Sequence, residues 1–223
     1  MDLIEAMRTQ GTCRYYLDRD VPDEVLYRAF EAARFGPQGG NRQPVRFVVV
    51  RDAAKKRQLK SWYLDQWKVY LERRTGGNIA ADDLPKSVKA ADNFAQRYDE
   101  VPALVVVCAE VNGLLATDRD LGRLSIVGGG SVYPTVQNFL LACRNEGLGS
   151  TLTTLLCAVE PKVKELLQIP DGVITAATIA IGWPAVPFPS KLTRLDVDTF
   201  VHVDSYDGRT LRPRSPDTAD LAG

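Results

Sequence analysis

Residues 133–154 read YPTVQNFLLACRNEGLGSTLTT, and two kinds of local order meet there. After Gly128-Gly129-Gly130, the segment from Val132 to Cys143 reads as an apolar helix that ends near Gly147. The Gly147-Leu148-Gly149-Ser150-Thr151 run that follows reads as a glycine-rich loop, with Thr153 and Thr154 beyond it. Taken alone, such a loop is also an ordinary helix C-cap. Downstream, Pro161 opens a second short helix through Leu167, and Ile174 to Ile181 reads as a strand. Upstream, Ala103 to Ala109 is a core strand, and Phe47 to Val50 is a short β-branched run suited to a buried strand.

The N-terminal third follows the same alternation. Residues 3–9 suit a short helix. Pro22 stands at a first helical position, and Asp23 and Glu24 suit the positive end of the helix dipole. Val25, Leu26, Ala29, Phe30 and Ala33 recur at helical spacing until Gly36-Pro37 ends the helix. The stretch from about Ala53 to Tyr98 is polar and helical in character. Trp62, Tyr63, Trp67 and Tyr70 are interleaved there with charges, and TGGN at 75–78 and Asp82-Asp83 interrupt it. No internal repeat or linker divides the chain. These elements predict one α+β domain over residues 1–223, with strands separated by helices and a disordered tail from about 212 to 223.

Bulk properties narrow the function. The chain has 223 residues, 45% hydrophobic and 25% charged, the profile of a water-soluble globular protein. Lys plus Arg is 28 and Asp plus Glu is 28, so the formal net charge is zero. A balanced chain gives no electrostatic reason to expect nucleic acid or an anionic membrane as partner, although local basic clusters still suit a phosphate. MDLIEAMRTQ carries charges among its apolar residues and lacks the apolar region of a signal peptide. No apolar run approaches the roughly 20 residues of a membrane helix. Cys13, Cys108, Cys143 and Cys157 are widely spaced, with no CxxC, which suggests reduced thiols in a cytoplasm. With His202 the only histidine, a His-based metal site or a Ser-His-Asp triad has too few members, and no metal is expected.

Three constellations carry chemistry. Arg8, Thr12 and Arg14 near the start, with Lys191 and Arg194 near the end, offer forked donors and a hydroxyl to a phosphate; taken alone they are also ordinary surface charges. The loop Gly36-Pro37-Gln38-Gly39-Gly40-Asn41-Arg42-Gln43-Pro44 lies between a helix and a strand. Its glycines let backbone approach a flat ligand, and Asn41 and Gln43 supply amide donors and acceptors for a uracil-like edge. The third is the 148–154 run.

Together they resemble the nitroreductase family. TCRYYLDRDVP at 12–22 is similar to the family's opening, where a Ser/Thr and a basic residue precede an aromatic and a Val-Pro. GPQGGNRQPVRFVVV at 36–50 resembles its "aPSxxNxQPWxFxVV" segment. Residues 133–154 resemble its "xQNlllaAxxxGLGs" helix and loop, and IPDGVITAATIAIGWP at 169–184 its "iPxxxxxxxxxxiGyP" strand. The likeness covers about residues 3–205, with Arg194 as the late basic residue.

The resemblance implies a central, mostly antiparallel sheet flanked by helices, in an intertwined homodimer with FMN at the subunit interface. It places Thr12 and Arg14 on the FMN phosphate, with Arg194 and Lys191. Gln38, Gly39, Gly40, Asn41 and Gln43 fall on the ribityl chain and ring, partly from the second subunit. Leu148, Gly149, Ser150, Thr151 and Thr153 fall beside the isoalloxazine. Three departures stand out. Gln10 occupies the place of the family's first arginine, so either Arg8 substitutes or that contact is missing. Gln38 replaces the usual Ser, and Val45 the common Trp.

The implied activity is ping-pong reduction of nitroaromatics, quinones or related acceptors with NADH or NADPH as donor. Flavin chemistry needs no histidine, because the cofactor carries the redox step. Arg42 and the helix opening near Gly130-Ser131 are candidates for stabilising negative charge on the reduced ring. Residues from about 60 to 100 form the variable segment expected to cover the site. There Trp62, Tyr63, Trp67 and Tyr70 either line an acceptor pocket or pack the helix onto the body. Two alternatives stand beside this reading: another chemistry on the same fold (reductive dehalogenation, enone reduction, flavin cleavage), or a flavin-binding protein without turnover.

Overall fold

The computed structural model describes residues 1–76 and 84–212; the expected breaks at 77–78 and 82–83, and the expected disorder from 213 onward, lie outside the described residues. Six α-helices are described: α1 (Leu3–Thr9), α2 (Asp23–Ala33), α3 (Ala53–Thr75), α4 (Lys86–Gln96), α5 (Tyr133–Asn145) and α6 (Glu160–Leu167). Four strands accompany them: β1 (Val45–Val50), β2 (Ala103–Glu110), β3 (Gly149–Thr153) and β4 (Val173–Gly182). The strands make one sheet, in the order β1-β2-β4-β3, with every neighbouring pair antiparallel. This is the expected α+β class with an antiparallel sheet. No described helix is long and apolar enough to cross a membrane.

The central strand explains the two-sided core. Side chains alternate along a strand, so the run ALVVVCAE sends Val105, Val107 and Ala109 to one cluster and Leu104, Val106 and Cys108 to the other. On the first face α2 and α5 bring Leu26, Val136 and Phe139. There the Phe139 ring stacks on Phe30 at 4.4 Å between centroids, with Phe47 of β1 tilted against both. On the second face α3 and α4 bring Leu59, Tyr63, Trp67, Phe94 and the following Tyr98. Tyr63 and Tyr98 stack at 4.2 Å, and Phe94 meets both edge-on. Apolar side chains thus cover both sides of the sheet.

Two boundaries differ from the expectations. Helix α2 begins at Asp23, and Pro22 is its extended N-cap with φ −61° and ψ 150°. The more consequential difference is β3. Residues 149–153 are not a loop but an edge strand, paired with β4 from Gly149↔Gly182 to Thr153↔Thr178. GSTLT has no apolar alternation to announce a strand; its pairing with β4 overrides that weak local signal. Helix α3 ends as glycine-rich sequence suggests, with Gly76 as a left-handed C-cap at φ 63°.

Contacts group the chain into two units, Met1–Ser190 and Lys191–Gly223. The first holds the sheet and all six helices. The second has, among its described residues, a 3-10 turn at Val197–Thr199 and a bridge between His202 and Thr210.

Candidate functional site

A docked N-terminal segment creates the first half of the site. Thr12 bridges Ser150 of β3 in parallel, and the Cys13 N–H donates to the Ser150 carbonyl at 2.9 Å. The Thr151 hydroxyl donates back to the Cys13 carbonyl. Tyr16 fastens this junction. Its hydroxyl lies 2.6 Å from the Cys13 carbonyl, 3.2 Å from that of Ala180 and 3.1 Å from Thr151 Oγ1. Burial pushes the Tyr16 phenol well above its ordinary range, so it stays a neutral hydroxyl. Close approach requires Gly149. A Cβ there would stand 2.5 Å from Cys13 Sγ.

The junction presents Thr12, Arg14 and the residues from Thr151 to Leu155 to a cavity of about 340 Å³, closed on its other side by α3 and α4. Tyr63, Trp67, Tyr70 and Arg74 line it. Their spacing of four, three and four residues puts them on one stripe of α3. Val88, Ala91 and Phe94 of α4 complete the apolar wall, with Ser87 at its polar edge. The Trp67 indole donates to Asp92 at 2.7 Å, and Trp67 stacks with Tyr70 at 5.4 Å. Burial raises the Tyr63 phenol, against a hydrogen bond to Thr153 and the nearby Arg14 charge. Arg14 itself is half-buried and has no hydrogen bond or ion pair among the described residues. It also borders a second, more polar cavity with Tyr16, Asp18, Lys56, Asp99 and Glu100.

The second half lies at the opposite edge of the sheet. Three strand-to-strand steps separate β1 from β3, roughly 14 Å in all. Before β1, Gly40, Asn41 and Gln43 all hold positive φ (60°, 52° and 51°). Such backbone is costly for Asn and Gln, and both residues are exposed here. The Gly39 N–H donates to Ser131 Oγ at 3.0 Å. Gln38, Gly39, Gly40, Arg42, Gly130 and Ser131 line a cavity of about 510 Å³. Behind it, Gln38, Gln43 and Thr135 share a cavity of about 370 Å³ with Phe30 and Phe47. Gln38 Oε1 and Thr135 Oγ1 are buried without a partner among the described residues. Orphaned acceptors of this kind are rare, and they suit a ligand that brings donors.

The expected residues therefore divide. Thr12, Arg14, Tyr63, Trp67, Tyr70, Thr151 and Thr153 share one cavity. Gln38, Gly39, Gly40 and Arg42 share another, and Gln43 borders the one behind. Asn41 is exposed beside them. Leu148 sits in the core, Gly149 packs on Cys13, and Ser150 is buried, so these three support the cavity wall without lining it. Trp62, one residue off the stripe, packs against the second core cluster. Arg8 is exposed on α1. Lys191 and Arg194 belong to the second unit and are exposed there, Arg194 donating to the Thr193 carbonyl at 2.7 Å. Sequence reasoning missed Arg74 and the α4 wall; extending the 63, 67, 70 stripe by one turn finds Arg74.

An antiparallel α+β sheet with an anion-suited cavity at one edge and a strained glycine-rich cradle at the other defines a class. The chain belongs to the nitroreductase family, whose family model matches residues 7–183. It is 24% identical over 193 residues to a Methanothermobacter thermautotrophicus protein named "Putative NADH dehydrogenase/NAD(P)H nitroreductase", covering 83% of this chain and 78% of that one. It is 25% identical over 185 residues to iodotyrosine deiodinase 1 of Sus scrofa, covering 82% of this chain and 62% of that longer protein. Among solved structures, an oxidized iodotyrosine deiodinase bound to FMN and 3-iodo-L-tyrosine superposes with a TM-score of 0.70 at 23% identity. That match covers 92% of this chain and all of the other, and it establishes the shared fold.

Proposed function

We propose that this chain is an FMN-dependent oxidoreductase that works as a homodimer, taking electrons from NADH or NADPH and passing them to a small aromatic or quinone acceptor. The observation that carries the reading is a division. Among the described residues, one chain holds a half-buried arginine without a partner beside an edge strand, and an orphaned amide oxygen in the cradle at the far sheet edge. A flat, phosphorylated ligand needs both kinds of contact, and a second copy brings the cradle to the cavity. Leu115 lines the cradle's cavity and is exposed (56%), and Leu121 (65%), Leu124 (85%) and Ile126 (77%) further along the same segment are exposed too, which supports such a partner. A run of that kind marks an interaction surface.

Bound FMN supplies two-electron chemistry, accepting reducing equivalents from a dihydronicotinamide and returning them to an acceptor. In this reading Thr12 and Arg14 hold the phosphate by charge-assisted bonds. Gln38, Asn41 and Gln43 of the other copy meet the polar ring edge, while Arg42 and Ser131 offset its negative charge. Tyr63 and Trp67 exclude water and give the acceptor a flat wall. Burial raises the Tyr63 phenol further above neutrality, so it keeps its proton, and acceptor protons come from water.

The likeness to deiodinases favours reductive dehalogenation as a second reading on the same site. One experiment separates them: an anaerobic visible spectrum of the protein with FMN, before and after NADH and then NADPH. Bleaching by either nucleotide and recovery with a nitroaromatic or quinone supports the reductase. Recovery only with an aryl halide, with halide released, supports dehalogenation. A protein that takes up no FMN defeats both.

A further inference from the structure

Among the described residues that line it, the cavity between β3 and helices α3 and α4 holds positive charge and no carboxylate. Its described lining includes two guanidinium groups, Arg14 and Arg74, and neither aspartate nor glutamate. In the reading above Arg14 belongs to the cofactor phosphate. Arg74, in the last turn of α3, has no such role. Its Nη1 donates to the Tyr70 hydroxyl at 2.9 Å, one helical turn back, and among the described residues it meets no carboxylate. Tyr70 in turn stacks on Trp67. The tyrosine thus props a guanidinium at the rim of an aromatic wall, and among the described residues the rest of its donor fork has no partner.

Resting on that oxidoreductase reading, we propose that the acceptor is an aromatic anion. Its ring packs against the Trp67–Tyr70 stack, and a carboxylate or similar single negative group meets the Arg74 fork. A planar guanidinium pairs with a carboxylate through two parallel hydrogen bonds, which fixes orientation as well as charge. A neutral ring leaves that fork unused. An ammonium-bearing ring meets a cation where it needs an acid. Arg74 is therefore a specificity-determining residue, and Tyr70 positions it.

The test uses the FMN-loaded protein with 4-nitrobenzoate, its near-isosteric amide 4-nitrobenzamide and the cationic 4-nitrobenzylamine. Turnover and calorimetric dissociation constants are both measured. The anion should be preferred over the amide by at least about tenfold, the size expected of one charge-assisted contact. Arg74→Gln should shrink the anion-to-amide ratio by a similar factor, and Arg74→Lys should restore part of it. Equal affinities for anion and amide, a preference for the amine, or a ratio unmoved in Arg74→Gln would overturn the assignment. Where the amide is reduced and the ratio is near one, the charge assignment alone fails. Where no acceptor reoxidises the protein, the oxidoreductase reading fails, and the calorimetric ranking still decides the charge question.

Discussion

The two edges of the sheet are built by opposite means. At the β3 edge the cavity is over-determined: Thr12 bridges Ser150, Tyr16 reaches three acceptors, and Tyr63, Trp67 and Phe94 are buried behind the wall. At the β1 edge the cradle is exposed, holds Gly40, Asn41 and Gln43 at positive φ, and leaves Gln38 and Thr135 with oxygens unpartnered among the described residues. At one edge the chain builds its own wall and leaves Arg14 without a partner among the described residues. The other has its geometry set but its hydrogen bonds unspent, as expected of a surface completed by something else. Strain held in place by surrounding structure is a recurrent mark of ligand-binding backbone.

The largest expected effect breaks the β3 edge. Gly149→Val forces a side chain onto Cys13 Sγ, where even a Cβ would be at 2.5 Å. Overpacking of this kind costs about 3 kcal/mol. The denaturation midpoint should fall, and amide exchange at residues 12–16 should accelerate. Next, Arg14→Ala should weaken FMN binding by about 2 kcal/mol, roughly thirtyfold, in a flavin fluorescence titration, because a charge-assisted contact is lost. An unchanged affinity would remove Arg14 from the phosphate site. At the β1 edge the sign of the stability effect changes. Gln38→Ala deletes an orphaned buried oxygen, so thermal stability should hold or rise slightly while FMN affinity falls by about 1 kcal/mol. A variant that loses stability instead would show that Gln38 already has its partner within the chain.

The smallest effect concerns pH. Burial raises the Cys108 thiol from the ordinary 9.0 to about 11, and Cys13, Cys143 and Cys157 move in the same direction. A raised thiol pKa means the neutral form is favoured in the fold. Its contribution is complete below pH 9.0 and lost as pH rises toward about 11. Urea midpoints should therefore decline across that window, and iodoacetamide should label the native protein slowly at pH 8, where thiolate is scarce.

Much of this was legible in sequence, for a physical reason. The β2 and β4 runs are apolar on both faces, and α2 and α5 carry their core residues at helical spacing, so periodicity alone reveals them. β3 was illegible. GSTLT is short and polar at its start, and it is a strand because β4 and the Thr12–Cys13 segment pair with it. The same gap hid the roles of Leu148, Gly149 and Ser150, which read as loop and instead stand behind the wall. The aromatics of α3 were visible, but their faces were not. Tyr63, Trp67 and Tyr70 share a stripe with Arg74, whereas Trp62 turns away to the core. The separation of the two halves to opposite edges follows from strand order, which no local pattern encodes.

The central claim is that each site takes its wall from one copy and its cradle from another. Hybrid dimers test it most directly. Copies carrying Arg14→Ala are mixed with copies carrying Gly40→Val and Arg42→Ala, each variant binding FMN weakly by itself; the mixed species is isolated by differential tags and FMN is held near the wild-type dissociation constant. The account predicts that one of the two sites in each hybrid is fully wild type, so FMN binding and nucleotide-driven bleaching return at about half the wild-type level per dimer. Hybrids that bind FMN no better than their parents would contradict it and place both halves of the site on a single chain.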